Sequence, residues 1–226
     1  MKKILFSMTA IAIASLATAQ VKLGFQLHGG TGWAGLNKQP DVSSSKKPIA
    51  SFGGGIVASW PINEQFELSG SLNYLRKGLK MNSSTTDLDM VLVSNAKARL
   101  DYAELPLQLA YRIASGNKFY TIALGPSVGY GFKGNAVNNV QIRKGNTLLL
   151  ETTDELDPFK KQDGETDHLN RWDFSGMASA GVEFNNGLYV KLNYLHGFSD
   201  LQTGTDKYRN RTAFLSVGYF FKSKPL

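Results

Sequence analysis

The run DYAELPLQLAYRIASGNKFYTIALGPSVGYGF, Asp101 to Phe132, decides the fold. It reads as two alternating strands joined by a short polar turn. In the first, Ala103, Leu105, Leu107, Leu109, Tyr111 and Ile113 share one face. Tyr102, Glu104, Pro106, Gln108, Ala110 and Arg112 share the other. In the second, Tyr120, Ile122, Leu124, Pro126, Val128, Tyr130 and Phe132 stand opposite Thr121, Ala123, Gly125, Ser127, Gly129 and Gly131. A period of two means an extended strand with one apolar face and one polar or small face. A soluble, lipocalin-like barrel would turn the apolar face inward. A membrane barrel would turn it into lipid.

Working outward, the same alternation recurs over residues 21–35, 51–60, 66–78, 172–184, 188–198 and 210–222. With the central hairpin this predicts about eight strands, and no stretch carries a useful helical period. Many strands without helices define an all-β barrel or sandwich. The connections alternate in length. Residues 61–65, 114–118 and 185–187 are tight and turn-rich, whereas 36–49, 79–96, 133–171 and 199–209 are long and polar. That rhythm fits an antiparallel up-and-down barrel with its long loops at one rim, as in bacterial outer-membrane barrels with short periplasmic turns. An even strand count then places both termini in the periplasm. At residues 185–187, face parity favours a three-residue loop with Gly187 in the left-handed region over a two-residue Asn-Gly turn. The sequence of 133–171 leaves open whether it extends a hairpin or is mobile.

Three features turn the apolar face outward. The polar faces are rich in Gly, Ser and Ala, which suits the crowded interior of a small barrel. Aromatic residues collect at strand ends. Trp60, Phe66, Tyr111, Tyr120, Phe184, Tyr219 and Phe221 fall near one rim, and Tyr74, Tyr130, Phe132, Trp172, Tyr194 and Phe198 near the other. Paired aromatic belts mark lipid–water interfaces. Finally, strands of about ten residues match a tilted bilayer crossing, and only a closed barrel leaves no unpaired edge in hydrocarbon. The same geometry turns Glu67, Glu104, Arg112, Glu183 and Lys191 inward, where isolated charges are costly and must pair. Glu67 is expected to meet Arg112, and Glu183 to meet Lys191. The lumen is then a filled polar plug rather than a pore.

The totals agree. The 226 residues suit one domain, and 42% hydrophobic content is ordinary. Lys2 and Lys3, the apolar run 4–16 and Ala17-Thr18-Ala19 form a secretory signal, with cleavage expected between Ala19 and Gln20. The mature barrel then spans 20–226. There is no cysteine, so neither disulfides nor thiolate chemistry is available. The formal charge is +7, but no Lys/Arg run exceeds two residues. Scattered charge and export argue against nucleic acid as a partner.

Several segments resemble the PorT-like outer-membrane β-barrel family of Bacteroidetes-type bacteria. They are residues 24–36, 67–78, 101–113, 119–132, 187–201 and 210–221. The most specific elements are Tyr102-x-Glu104-x-Pro106 and Gly125-Pro126. The resemblance implies a small barrel in the Gram-negative outer membrane. One family member is named for a role in protein secretion, and membership alone does not carry that role over. The tail Lys222-Ser223-Lys224-Pro225-Leu226 departs from the terminal aromatic residue of many such barrels and points to an internal or weaker assembly signal.

Sites for chemistry are sparse. His28, His168 and His196 show no metal-ligand spacing, and Asp87 and Asp89 precede no calcium loop. His196 with Ser199 offers a hydroxyl and a base, but no oriented acid. Glu67, Glu104 and Glu183 read better as structural ion pairs than as an acid–base set. The sequence therefore predicts a non-enzymatic, monomeric barrel without cofactors. Its partners are outer-membrane lipid and an unidentified protein or ligand met at the loops. A narrow solute channel and a lipid-modifying enzyme are the alternatives.

Overall fold

Alternation becomes a ring in the computed structural model, which describes residues 21–36, 43–87, 90–145, 147–160, 168–202 and 208–221. The expected signal segment, its cleavage pair Ala19 and Gln20, and the tail 222–226 lie outside the described residues. The strands are β1 (Lys22–Leu36), β2 (Ser43–Lys47), β3 (Ile49–Pro61), β4 (Phe66–Asp87), β5 (Met90–Ser115), β6 (Lys118–Lys144), β7 (Thr147–Leu156), β8 (Trp172–Phe184), β9 (Leu188–Gly197) and β10 (Tyr208–Phe220). Eight of them close a fully antiparallel barrel in the order β1, β3, β4, β5, β6, β8, β9, β10, with β10 pairing back to β1. The other two are outriggers: β2 pairs the far end of β4, and β7 the far end of β6.

Three tight turns share one rim. Asn63 Oδ1 caps the first by accepting from the Gln65 and Phe66 amides at 2.9 and 2.7 Å. In the third, Gly187 has φ +95° and its amide donates to the Phe184 carbonyl at 2.9 Å, so the three-residue loop expected from parity is the one present. A residue with a Cβ is strained at that φ. The first strand starts and the last ends at this rim, as Gly24 opposite Phe220 records.

At the opposite rim the structure corrects the loop assignments. Residues 79–96 are not a polar loop: β4 and β5 stay paired out to Asp87 opposite Met90. Most of 133–156 is strand as well. These extensions are mostly polar, and their apolar runs Met90–Val93 and Leu148–Leu150 are continuous rather than alternating, so no period of two marks them. A bulge helps shape them. Tyr102 pairs with Gly131 but Asp101 with Lys133, leaving Phe132 as an extra residue. Beyond it, the parity of β6 is reversed.

Burial is inverted relative to a soluble protein. Leu124, Leu27 and Ile56 are 69%, 66% and 65% exposed, whereas Lys77 and Asp173 are 0% exposed and Glu67 1%. Two prolines interrupt the central ladders because each lacks an amide donor. The β4–β5 pairing breaks between Gly70–Leu107 and Asn73–Glu104, beside Pro106. The β5–β6 pairing breaks between Pro106–Ser127 and Leu109–Leu124, beside Pro126. A Cβ on Gly125 would collide with the Leu107 carbonyl oxygen, so only glycine fits that close strand approach.

Candidate functional site

Parity along eight strands delivers a column of polar side chains to the lumen, and ring closure sorts them into three layers. Nearest the short-turn rim, Lys22 on β1 reaches Glu67 on β4 at 3.0 Å and Glu183 on β8 at 2.7 Å. Arg112 on β5 approaches the same two carboxylates at 3.5 and 3.6 Å, with its guanidinium 4.2 Å from the Phe119 ring centre. Two cations and two carboxylates therefore neutralise one another where isolated charges would be costly. Glu67 does lie beside Arg112. The expected Glu183–Lys191 pair is not the one made. Lys191 faces inward, but its ammonium sits over the Tyr189 ring at 4.9 Å, while Lys22 and Arg112 take Glu183. Lys22 was legible as a polar-face residue. That β1 lies across the lumen from β8 was not.

The middle layer is neutral. Asn73 Oδ1 accepts from Gln26 Nε2 at 2.8 Å and lies 3.1 Å from His28 Nε2, which assigns the proton to that nitrogen. His28 Nδ1 then meets the Ser216 hydroxyl at 2.8 Å, and Ser216 also accepts from Asn193 at 2.7 Å. The Tyr189 hydroxyl donates to Gln26 Oε1 at 2.9 Å.

Toward the long-hairpin rim, Lys77 lies 2.7 Å from Glu104 and 3.0 Å from Asp173. Ser127 donates to Glu104 at 2.5 Å, and Asn210 to Asp173 at 2.8 Å. Lys77 and Asp173 carry the same parity as Glu67 and Glu183 on their own strands, so alternation could have flagged both. Above them sits an apolar cap of Leu79, Leu100, Tyr102, Phe159, Leu201 and Tyr208. Phe159 follows β7, meets the Tyr102 ring edge-on at 5.9 Å, and occupies the space that Gly131 leaves without a Cβ. No signal in the sequence singled it out.

The aromatic residues stand in two outward groups. Phe66 meets Tyr111 at 5.3 Å, and Phe25 meets Tyr219 at 6.4 Å, toward the short-turn rim. Tyr120 lies there too, under the Lys118 ammonium. Trp60 lines a shallow outward depression with Leu72 and Leu107. Toward the other rim, Tyr130 meets Trp172 at 5.0 Å, Tyr74 meets Phe132 at 6.2 Å, and Tyr194 stacks on Trp33 at 6.2 Å.

Catalytic arrangements do not assemble from the candidates. His196 bonds the Tyr194 hydroxyl at 3.1 Å on the outward face, whereas Ser199 donates to Asp173 at 3.2 Å. Among the described residues no group of three His, Asp or Glu side chains could hold a metal ion.

A closed antiparallel ring, apolar outside and charge-paired within, defines a membrane-spanning β-barrel. The sequence profile of the outer membrane protein beta-barrel domain family matches residues 18–202, and the chain belongs to that family. It is a bacterial outer-membrane β-barrel protein. No curated protein matches its sequence. Among solved structures, Ail, the attachment invasion locus protein of Yersinia pestis, is similar at 14% identity, covering 90% of this chain and 99% of its own, with a TM-score of 0.43. Neisserial surface protein A is similar at 12% identity over 89% and 99% of the two chains, with a TM-score of 0.40. OprG of Pseudomonas aeruginosa is similar at 11% identity over 88% and 96%, with a TM-score of 0.35.

Proposed function

We propose that this chain is a non-enzymatic, monomeric barrel with a filled lumen, acting through its long hairpins at the cell surface. Both termini then lie in the periplasm. One observation carries the reading: Glu67, Lys77, Glu104, Asp173, Tyr189 and Thr212 all point inward and are essentially free of solvent contact. Side chains lining a water-filled path would be wetted. Burial at all three levels of the lumen argues for a plug and against a solute channel. What remains available for recognition is the long-hairpin rim and the outer wall. The PorT-like resemblance makes a component of protein export across the outer membrane the first candidate for a protein partner there.

Two measurements test this. In planar bilayers the purified protein should give no stable conductance steps; steps well above background would overturn the filled lumen. The absence of native cysteine makes single-cysteine labelling clean. On intact cells an impermeant maleimide should label Thr147→Cys, at the tip of the β6–β7 hairpin. It should reach Glu64→Cys only after the outer membrane is permeabilised. The reverse pattern would overturn the orientation.

A further inference from the structure

Basic residues that are scattered in sequence are gathered by strand register. Lys47 on β2 lies directly opposite Lys80 on β4, and Lys80 directly opposite Lys97 on β5. Directly opposed residues share a face, so three lysines stand in one row across the outer wall. One step nearer the barrel body Arg99 lies opposite Gly78, and in the next row Asp101 lies between Arg76 and Lys133. The bulge at Phe132 is what turns Lys133 outward. Like charges placed directly across a sheet destabilise it. Here three repeat without relief, because no ion pair joins Lys47, Lys80, Lys97 or Arg99 to an acid among the described residues.

The acids nearby are few. Asp101 is occupied by Arg76 at 2.6 Å and by the Tyr74 hydroxyl at 2.9 Å. Glu155 lies beyond Val137 at the far end of the lysine row and accepts from Asn135. Two adjoining concavities of about 430 and 320 Å³ share Lys80, Lys97 and Arg99 as their common wall. The terrace is continuous with the aromatic belt below it: the Arg76 guanidinium lies 4.9 Å from the Phe52 ring centre, and Phe52 lies 6.5 Å from Tyr74.

We propose that this outward terrace binds the phosphate groups of a phosphorylated glycolipid in the surrounding leaflet. The position favours a lipid over a soluble polyanion, because the cations face sideways from the wall directly above the membrane belt. Their height favours a sugar-bearing headgroup. At about 3.3 Å per residue and a strand tilt of about 40°, the Arg76 and Lys80 rows stand about 5 and 15 Å above Tyr74. A phospholipid head layer is only about 5–8 Å deep. Lysine and arginine form short, charge-assisted hydrogen bonds to phosphate. This assignment rests on the cell-surface orientation proposed above, but the binding chemistry can be tested without it.

The test uses the folded, detergent-solubilised full barrel and native mass spectrometry. The probe is rough lipopolysaccharide with a phosphorylated core. The wild type should retain it, and the variant Lys80→Gln/Lys97→Gln/Arg99→Gln should bind at least about tenfold more weakly. Dephosphorylated lipopolysaccharide should bind the wild type as weakly as the variant binds the intact lipid. The variant removes repulsion, so its unboiled gel mobility should match the wild type. Equal binding by variant and wild type, or no effect of phosphate removal, would overturn the proposal. So would equal affinity for phosphatidylglycerol vesicles, which would remove the sugar requirement, or preferential binding of soluble heparin. Failure of the cysteine-labelling pattern alone would refute the orientation and leave the phosphate chemistry standing.

Discussion

Lys77 Nζ stands 2.7 Å from Glu104 Oε2, with both side chains sealed from solvent inside the barrel. Asp173 completes the group at 3.0 Å from the same ammonium. A single cation thus serves two buried carboxylates, and its loss would leave both without a cationic partner. Lys77→Met should therefore destabilise the folded barrel by about 3–5 kcal/mol. The combined variant Lys77→Met/Glu104→Gln/Asp173→Asn should recover most of that loss. Urea unfolding in lipid vesicles, followed by unboiled gel mobility, measures both. A triple variant no more stable than Lys77→Met would show that packing of the lysine stem, not charge balance, sets the cost.

Leu124 is 69% exposed at the middle of the β6 wall. In water such a leucine would be replaceable by lysine at little cost. In hydrocarbon, Leu124→Lys should cost about 2–4 kcal/mol. The same substitution at Leu149, in the β7 outrigger beyond the barrel body, should be nearly neutral. Equal costs at the two positions would contradict a lipid-facing wall.

Glycines in the wall should divide by contact rather than by strand. Gly125→Val forces a side chain against the Leu107 carbonyl and should cost at least about 1–3 kcal/mol, seen as a lower refolding yield and midpoint. A Cβ at Gly29 would meet nothing within 4 Å, so Gly29→Ala should change stability by less than about 0.5 kcal/mol. A comparable loss at both would remove close strand approach as the reason for glycine at 125.

Beyond the barrel body, Glu151 on β7 accepts from Asn139 and from Gln141, each at 3.0 Å. These bonds favour the carboxylate, first that from Asn139, and hold its pKa below the ordinary value of 4.5. A depressed carboxylate stabilises the hairpin above its unfolded pKa, and that support is lost as pH falls through the folded value. An NMR titration should place the Glu151 midpoint below that of an unstructured glutamate, and Asn139→Ala should move it upward. An unchanged midpoint would assign the bond no weight in solution.

Much of this was legible from period two alone. One parity rule told which side chains of Ala103–Ile113 and Tyr120–Phe132 meet lipid and which meet the lumen, because a strand has only two faces. It also placed Glu67, Glu104, Arg112, Glu183 and Lys191 inside, and it held enough information to add Lys22, Lys77 and Asp173. It was silent over 79–96 and 133–156, where most residues are polar and the apolar runs Met90–Val93 and Leu148–Leu150 occupy both faces, so alternation carries no contrast.

Partner choice belonged to the tertiary structure. Whether Glu183 meets Lys191 or Lys22 depends on which strands face each other across the closed ring, and neighbours in sequence do not encode that distance. The lysine row is the same lesson on the outside. Lys47, Lys80 and Lys97 are far apart along the chain, and only the hydrogen-bond register of β2, β4 and β5 makes them neighbours. The chain itself determined which face each residue takes; closure and register determined whom it meets there.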